Sequence, residues 1–175
     1  NLSHRRLVRL VEEKFKLNNH FQKRKHEAPT LKALSQKIVI RRKSAQTHIC
    51  IGFPSYQFKH PKRFASLLLS NILGGGMSSR LFQNLREKLG MVYNIYSFID
   101  FFKDKGIFGV YLGTDRKQVM PAVEQVLREL RRIKKEGLDR KELENAKYQL
   151  KGSMILGAES TSNRISRLAR LELYL

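Results

Sequence analysis

Three consecutive glycines, Gly74–Gly76, constrain this chain more than any other feature of its 175 residues. A glycine in a helix interior costs about 1 kcal/mol relative to alanine, so three together end whatever helix precedes them. What precedes them is a run opened at His60-Pro61, with Phe64, Leu67, Leu68, Ile72 and Leu73 at the three- and four-residue spacing of a buried helical face. Beyond the triplet, Ser78 or Ser79 is placed to cap a second helix. Its inner face is Leu81, Phe82, Leu85 and Leu89, and its other face carries Arg80, Asn84, Glu87 and Lys88. Gly90 is the expected left-handed stop of that helix. The stretch Asn71–Tyr93 (NILGGGMSSRLFQNLREKLGMVY) is therefore helix end, glycine joint, short amphipathic helix and strand start, and the remaining elements have to fit around it.

On its N-terminal side, Gln46 to Phe53 alternates Thr47, Ile49, Ile51 and Phe53 against His48, Cys50 and Gly52, the period of two of a half-buried strand. Pro54 and Ser55 are expected to end it. The β-branched run Lys37 to Arg42 (KIVIRR) reads as an edge strand. Further upstream, Leu7, Leu10, Val11 and Phe15 repeat at helical spacing behind Ser3, a candidate cap, whereas NNHFQKRKHEAPT is polar, basic and aperiodic. On the C-terminal side a strand is expected over Tyr93 to Phe102, with Asn94, Tyr96, Phe98, Asp100 and Phe102 on one face. Lys103-Asp104-Lys105-Gly106 is the turn of a hairpin. The returning strand, Ile107 to Gly113, has Gly109 and Gly113 where close contact is needed. Three helices follow: Lys117 to Lys135; a second capped by Asp139 in an Asp-x-x-Glu box and broken at Gly157-Ala158-Glu159; and a third begun at Ser160 or Thr161. Strands in antiparallel pairs and helices in runs define an α+β class, an antiparallel sheet with helices packed on one face.

The composition is that of a folded chain, 41% apolar and 29% charged. No apolar run is long enough to span a bilayer. The first 20 residues lack an apolar core ahead of a small-residue cleavage site, and the expected location is cytoplasmic. The net charge of +20 is uneven: residues 1–44 hold 13 Lys or Arg against three acids and account for half of it. Such an arm attracts nucleic acid non-specifically, but no basic strand with interleaved aromatics accompanies it, and a solvated basic surface is the plainer reading.

Candidate chemistry is sparse. None of His4, His20, His26, His48 and His60 shares a helix face with a carboxylate at ligand spacing, and a catalytic zinc needs three protein ligands. No base is placed for Cys50 or for the serines, and Cys50 is expected as a small core residue. His48 is expected as a satisfied histidine on a sheet face. Gly74, Gly75 and Gly76 lack the spacing of a phosphate-binding loop and follow a helix instead of a strand. They are either a flexible joint or a loop over a binding cleft. Arg86, one residue past Leu85 and four past Phe82, borders the apolar face, and Tyr93 opens the strand after the Gly90 turn. The two supply a planar cationic fork and a hydroxyl, either for a ligand or for a structural contact with each other.

LLLSNILGGGMSSRLFQNLREKLGMVYNIYSF resembles the second-domain segment of the insulinase/pitrilysin-type zinc peptidases, in the branch of the mitochondrial processing peptidase. The resemblance extends over SHRRLVRLVEEKF, QTHICIGFP, FGVYLGTD, LDRKELENAKYQLKGSMIL and SNRISRLARLELYL, so it covers nearly the whole chain. It implies a fold that repeats one α+β unit, two such units facing each other across a chamber that holds an extended peptide. It further implies that zinc lies in the other, N-terminal unit on a His-x-x-Glu-His helix that this chain lacks, so that no cofactor is expected here. Arg86 and Tyr93 fall on the Arg and Tyr, seven residues apart, that handle the scissile carbonyl in the family. Gly74–Gly76 fall on its substrate-handling loop.

The resulting expectation has residues 1–17 as the terminal helix of a preceding domain, 18–36 as a basic linker, and 37–175 as the C-terminal family domain, truncated at its end. The chain is then the substrate-binding half of a zinc-dependent endopeptidase, inactive alone. Its partners are an N-terminal zinc domain or partner subunit and an extended peptide, in a dimer, with no membrane and no nucleic acid. The alternative is a non-catalytic core or assembly subunit of the same family.

Overall fold

The computed structural model describes residues 3–15 and 36–174. The expected linker, residues 18–36, lies outside the described residues apart from its last position. Residues 3–15 hold one helix, α1 (His4–Lys14), started by Ser3, whose Oγ accepts from the Arg6 N–H at 3.3 Å.

The remaining residues form a second unit. Its sheet has strands β1 (Thr47–Ser55), β2 (Val92–Phe101) and β3 (Gly106–Thr114), all antiparallel, in the order β1-β3-β2. The helices are α2 (Arg63–Gly74), a π-helical segment (Phe82–Lys88), α3 (Val119–Glu136), α4 (Arg140–Glu159) and α5 (Thr161–Tyr174), with one 3₁₀ turn, Arg116–Gln118, leading into α3. The α+β class therefore holds. Phe108, Val110 and Leu112 of β3 point into one core with Leu73 of α2, Leu81 and Leu85 of the π-helical stretch, Ile95 of β2, and Ala122 and Val126 of α3. The opposite face of the sheet is open, and His48, Tyr96 and Tyr111 stand on it. This layering follows from the period of two: alternate residues of β3 are buried apolar groups or belong to the open face.

Several elements depart from the sequence pattern. KIVIRR forms no strand; Ile38, Val39 and Ile40 are exposed. β-branched residues favour an extended backbone, but a strand needs a neighbour for its N–H and C=O groups, and β1 pairs only with β3 among the described residues. β1 itself runs on through Pro54 and Ser55, which pair with Ile107 and Gly106; an edge strand tolerates the missing proline N–H. Cys50 is exposed on the open sheet face, not in the core, because the alternation of β1 sends Ile49 and Ile51 inward. Ser79 does not cap with its side chain: its Oγ donates to the Gly76 carbonyl at 2.5 Å. α4 continues through Gly157 to Glu159, and the break falls at Ser160, whose Oγ accepts from the Asn163 N–H at 3.4 Å. A single glycine weakens a helix by about 1 kcal/mol without ending it when the backbone bonds around it persist.

Other expectations hold. Asp139 caps α4, its Oδ2 accepting from the N–H groups of Lys141 (3.0 Å) and Glu142 (3.4 Å). Gly90 adopts φ +59°, the left-handed region in which glycine has no steric penalty. A Cβ on Gly109 would run into the ring of Phe98, its cross-strand neighbour, so the small residue there does serve close contact.

Candidate functional site

The glycine joint is built in two halves. Gly74 is the last residue of α2 and is buried, since a Cβ there would collide with the Ser97 backbone nitrogen of β2. Its role is to let the helix approach the sheet. Gly75 and Gly76 are exposed, and Met77 at the tip is 75% exposed. The turn is tied down at both ends. The Gly75 N–H donates to the Asn71 carbonyl at 2.9 Å, and Gln83 Nε2 donates to the Met77 carbonyl at 2.7 Å. Asn71 Nδ2 also reaches Gln149 Oε1 of α4 at 3.2 Å. Beside the joint lies an open cleft of about 350 Å³ lined by Asn71, Ser78, Asp139, Lys141, Asn145 and Gln149.

Arg80 follows the joint. Its Nε and Nη2 donate to the two oxygens of Glu142 at 2.6 Å each, and its Nη1 donates to Glu129 Oε1 at 3.0 Å. Glu129 is buried, 6% exposed. Placed by sequence on the face opposite the apolar stripe, Arg80 bolts the segment to α3 and α4. The Glu142 carboxylate is taken by this fork. The signal that was there to read is Glu129, three residues past Val126 on the apolar stripe of α3. A carboxylate on a buried stripe requires a cation.

Arg86 lies within the π-helical segment, exposed, its guanidinium 5.0 Å from the centroid of the Phe82 ring, a cation–π distance. The wider π turn is marked by the Leu89 N–H donating to the Asn84 carbonyl five residues back, at 3.1 Å. It also shifts Leu89 off the inner face and leaves it exposed, against expectation.

Tyr93 lies at a β-bulge. Val92 pairs with Thr114 and Asn94 with Gly113, so Tyr93 is the extra residue. It is half exposed, and its hydroxyl donates to Asp115 Oδ2 at 2.9 Å. That hydrogen bond, with the carboxylate charge behind it, raises the phenol above the ordinary tyrosine range. Sequence reasoning missed Asp115, the last residue of FGVYLGTD. Its side chain caps nothing and turns to Tyr93. Arg86 and Tyr93 make no direct hydrogen bond or ring contact with each other. The open sheet face holds a separate cluster. His48 Nδ1 and the Tyr111 hydroxyl are 2.7 Å apart, and the Tyr96 and Tyr111 rings stack at 4.8 Å. His48 is thus a satisfied sheet-face histidine.

No group of three or more His, Cys, Asp or Glu capable of holding a metal exists among the described residues. His48 is occupied by Tyr111, and Glu129 and Glu142 by Arg80, so the donor set does not fit zinc. No helix among the described residues is long and apolar enough to cross a membrane.

The second unit is thus an antiparallel sheet backed by helices on one face, with Arg86 and Tyr93 exposed and no metal-holding group among the described residues. The description of the peptidase M16 inactive domain matches residues 1–150. An uncharacterized zinc protease of Bacillus subtilis (strain 168), YmxG, is 38% identical over 141 residues, 81% of this chain and 34% of its own length. An uncharacterized zinc protease of Streptomyces coelicolor is 36% identical over 180 residues, covering 99% of this chain and 39% of the relative. The crystal structure of a protease from Helicobacter pylori superposes with a TM-score of 0.78 at 21% identity, over 96% of this chain and 42% of that one. This chain belongs to the peptidase M16 family, as its inactive domain. It spans about two fifths or less of the length of these relatives.

Proposed function

We propose that this chain is the substrate-binding half of a zinc-dependent endopeptidase in which an extended peptide is held between two domains. In this reading zinc sits in an N-terminal domain of the complete protein or in a partner subunit, and α1 is the end of that preceding domain. The complete protein acts in the cytoplasm as a dimer. The observation that carries the reading is the pair Arg86 and Tyr93, exposed on either side of the Gly90 turn, each supported by a neighbour that leaves its polar end accessible. Arg86 is the charged donor for a carbonyl oxygen of the peptide near the bond to be cleaved, an electrostatic role typically worth about a hundredfold or more in rate. Tyr93 supplies the second contact. Gly75, Gly76 and Met77 form the edge of the peptide's path, and Gly74 holds that edge against the sheet.

The test is peptide hydrolysis by the complete protein. Arg86→Ala and Tyr93→Phe should each lower kcat/KM with the fold intact by circular dichroism, and the isolated 175 residues should be inactive. Zinc-dependent hydrolysis by the isolated chain, or full activity in both variants, refutes the reading.

A further inference from the structure

A group of exposed cations at the junction of α3 and α4 has no carboxylate to pair with. Arg131, Lys134 and Lys135 lie in the last two turns of α3, and Arg140 and Lys141 open α4; none of them forms an ion pair among the described residues. Their neighbours on α3 do pair, Arg128 with Glu124 and Arg132 with Glu136. Only Gly137 to Asp139 connect the two helices, and Arg80 ties Glu129 of α3 to Glu142 of α4, so both sets of cations stand at one corner. Stability accounts for part of this charge. Lys134 and Lys135 meet the negative end of the α3 dipole, but Arg140 and Lys141 sit at the positive end of α4, where a cation is unfavourable. The acid of that first turn, Glu142, is taken by Arg80, and Asp139 caps the backbone. The corner therefore concentrates positive charge that the fold itself does not use.

The corner opens onto the cleft of about 350 Å³ beside the glycine joint. Lys141 lines that cleft with the amides of Asn71, Asn145 and Gln149 and the Ser78 hydroxyl, over the buried Ile72 and Ala146. We propose that the cleft and its cationic rim are an exosite for an acidic segment of the peptide substrate, away from the bond to be cleaved. Charge complementarity carries the assignment: Arg131 and Arg140 offer planar forks that match a carboxylate, and the three lysines add point charges. The shape of the site selects among polyanions. A concave cleft admits a single chain and not the plane of a bilayer, and no aromatic side chain lines it to stack a base. The proposal rests on the reading above that Gly75, Gly76 and Met77 edge the peptide's path. Joint and cleft share a wall, since Asn71 lines the cleft and its carbonyl accepts the Gly75 N–H.

The probe is an internally quenched peptide cleaved by the complete protein, made with a run of glutamates at one end or with glutamines in the same places, each end being extended in turn. At one end the wild type should favour the glutamate version by about tenfold in kcat/KM, mainly through KM, the sum of a few exposed ion pairs. High salt should erase that preference. Combining Arg131→Gln, Lys134→Gln, Lys135→Gln, Arg140→Gln and Lys141→Gln should bring the ratio near one, whereas Arg128→Gln with Arg132→Gln on the same helix should keep it. Arg140→Gln with Lys141→Gln alone should lose about threefold of the preference with no fall in Tm, because these two cations oppose the α4 dipole. No preference in the wild type, or equal loss in the corner and control variants, overturns the exosite and leaves the substrate-binding reading standing. If neither peptide is cleaved, that reading falls, and fluorescence anisotropy of the labelled glutamate peptide on the complete protein decides whether the corner docks an acidic chain; it does not if binding is absent or survives the combined substitutions. Tighter binding of a single-stranded oligonucleotide or of phosphatidylserine vesicles through the same residues also overturns the proposal.

Discussion

Arg80→Met removes the bolt between the glycine joint and the helices behind it, and its cost can be worked from the geometry. Two 2.6 Å bonds to Glu142 and one of 3.0 Å to Glu129 are lost. Methionine refills most of the stem volume, so the packing loss is small and the charge dominates. Glu129 is the expensive partner: its side chain is 8% exposed, and without Arg80 it is an uncompensated buried carboxylate. Glu142 is 28% exposed and lies in the first turn of α4, where solvent and the helix N-terminus offset its loss. Breaking a buried pair costs about 3–5 kcal/mol, and the partial exposure of Glu142 places this case near 3 kcal/mol. For a chain of this size that is a fall in Tm of roughly 6–12 °C. Denaturant unfolding followed by circular dichroism measures it directly.

The pH dependence sharpens the test. The hydrogen bonds to Glu142 raise Arg80 above its already high ordinary value. A raised cationic group contributes stability below its unfolded value and loses it only as pH passes through the folded one. Both lie far above neutrality, so the cost of Arg80→Met through this group should be the same at pH 7 and pH 9. Adding Glu129→Leu should recover much of the loss, because an apolar pair can replace a buried ionic one at little cost. A loss below about 1 kcal/mol, or no recovery in the double variant, refutes the view that burial of Glu129 depends on Arg80.

Two further outcomes follow from close contacts. Gly74→Ala drives a Cβ into the backbone of Ser97 and Tyr96, which cannot swing aside as a side chain can; it should destabilise by about 1–3 kcal/mol in the same unfolding assay, whereas the open surroundings of Gly76 should make Gly76→Ala much milder. The Tyr93 ring carbon bearing the hydroxyl, followed by ¹³C NMR, should titrate above the ordinary tyrosine value near 10 and move down in Asp115→Ala. Because the folded state holds this proton more tightly, the associated stability is present below that value and fades as pH rises through the folded one.

Much of the fold was legible because its code is local. The alternation of Thr47, Ile49, Ile51 and Phe53, the Asp139 cap and the Gly90 turn each depend on residues within a few positions. KIVIRR was misread because strand propensity says nothing about whether a neighbour exists to pair with. Cys50 was misread because its apolar surroundings in sequence alternate between core and open face in the sheet. The role of Arg80 was not legible because its partners are 49 and 62 residues away, and no periodicity reports a contact between elements.

Arg86 and Tyr93 stand where the family resemblance puts its Arg and Tyr, seven residues apart, yet neither sits in the regular element that the sequence pattern predicts. Arg86 is in a π turn, with the bond from Leu89 to Asn84 spanning five residues; Tyr93 is the extra residue of a β-bulge. Both irregularities interrupt the favoured backbone ladder, and both types recur where a side chain has to be re-aimed. The expected α-helix would have continued Leu81 and Leu85 into Leu89 and kept Arg86 on the flank of that stripe. The wider turn releases Leu89, while Arg86 lies over Phe82, four residues back. A regular strand would have given Tyr93 a ladder partner like its neighbours, instead of leaving it the unpaired residue beside Asp115. Between them Gly90, at φ +59°, reverses the chain without side-chain strain. The departures from periodicity therefore fall on the two residues to which the reading assigns substrate contact, with Arg80 and Thr114 anchoring the segment at either end. A design that regularised both elements should gain stability and lose peptide binding, since the geometry that a regular helix and strand favour aims neither side chain outward from the Gly90 turn.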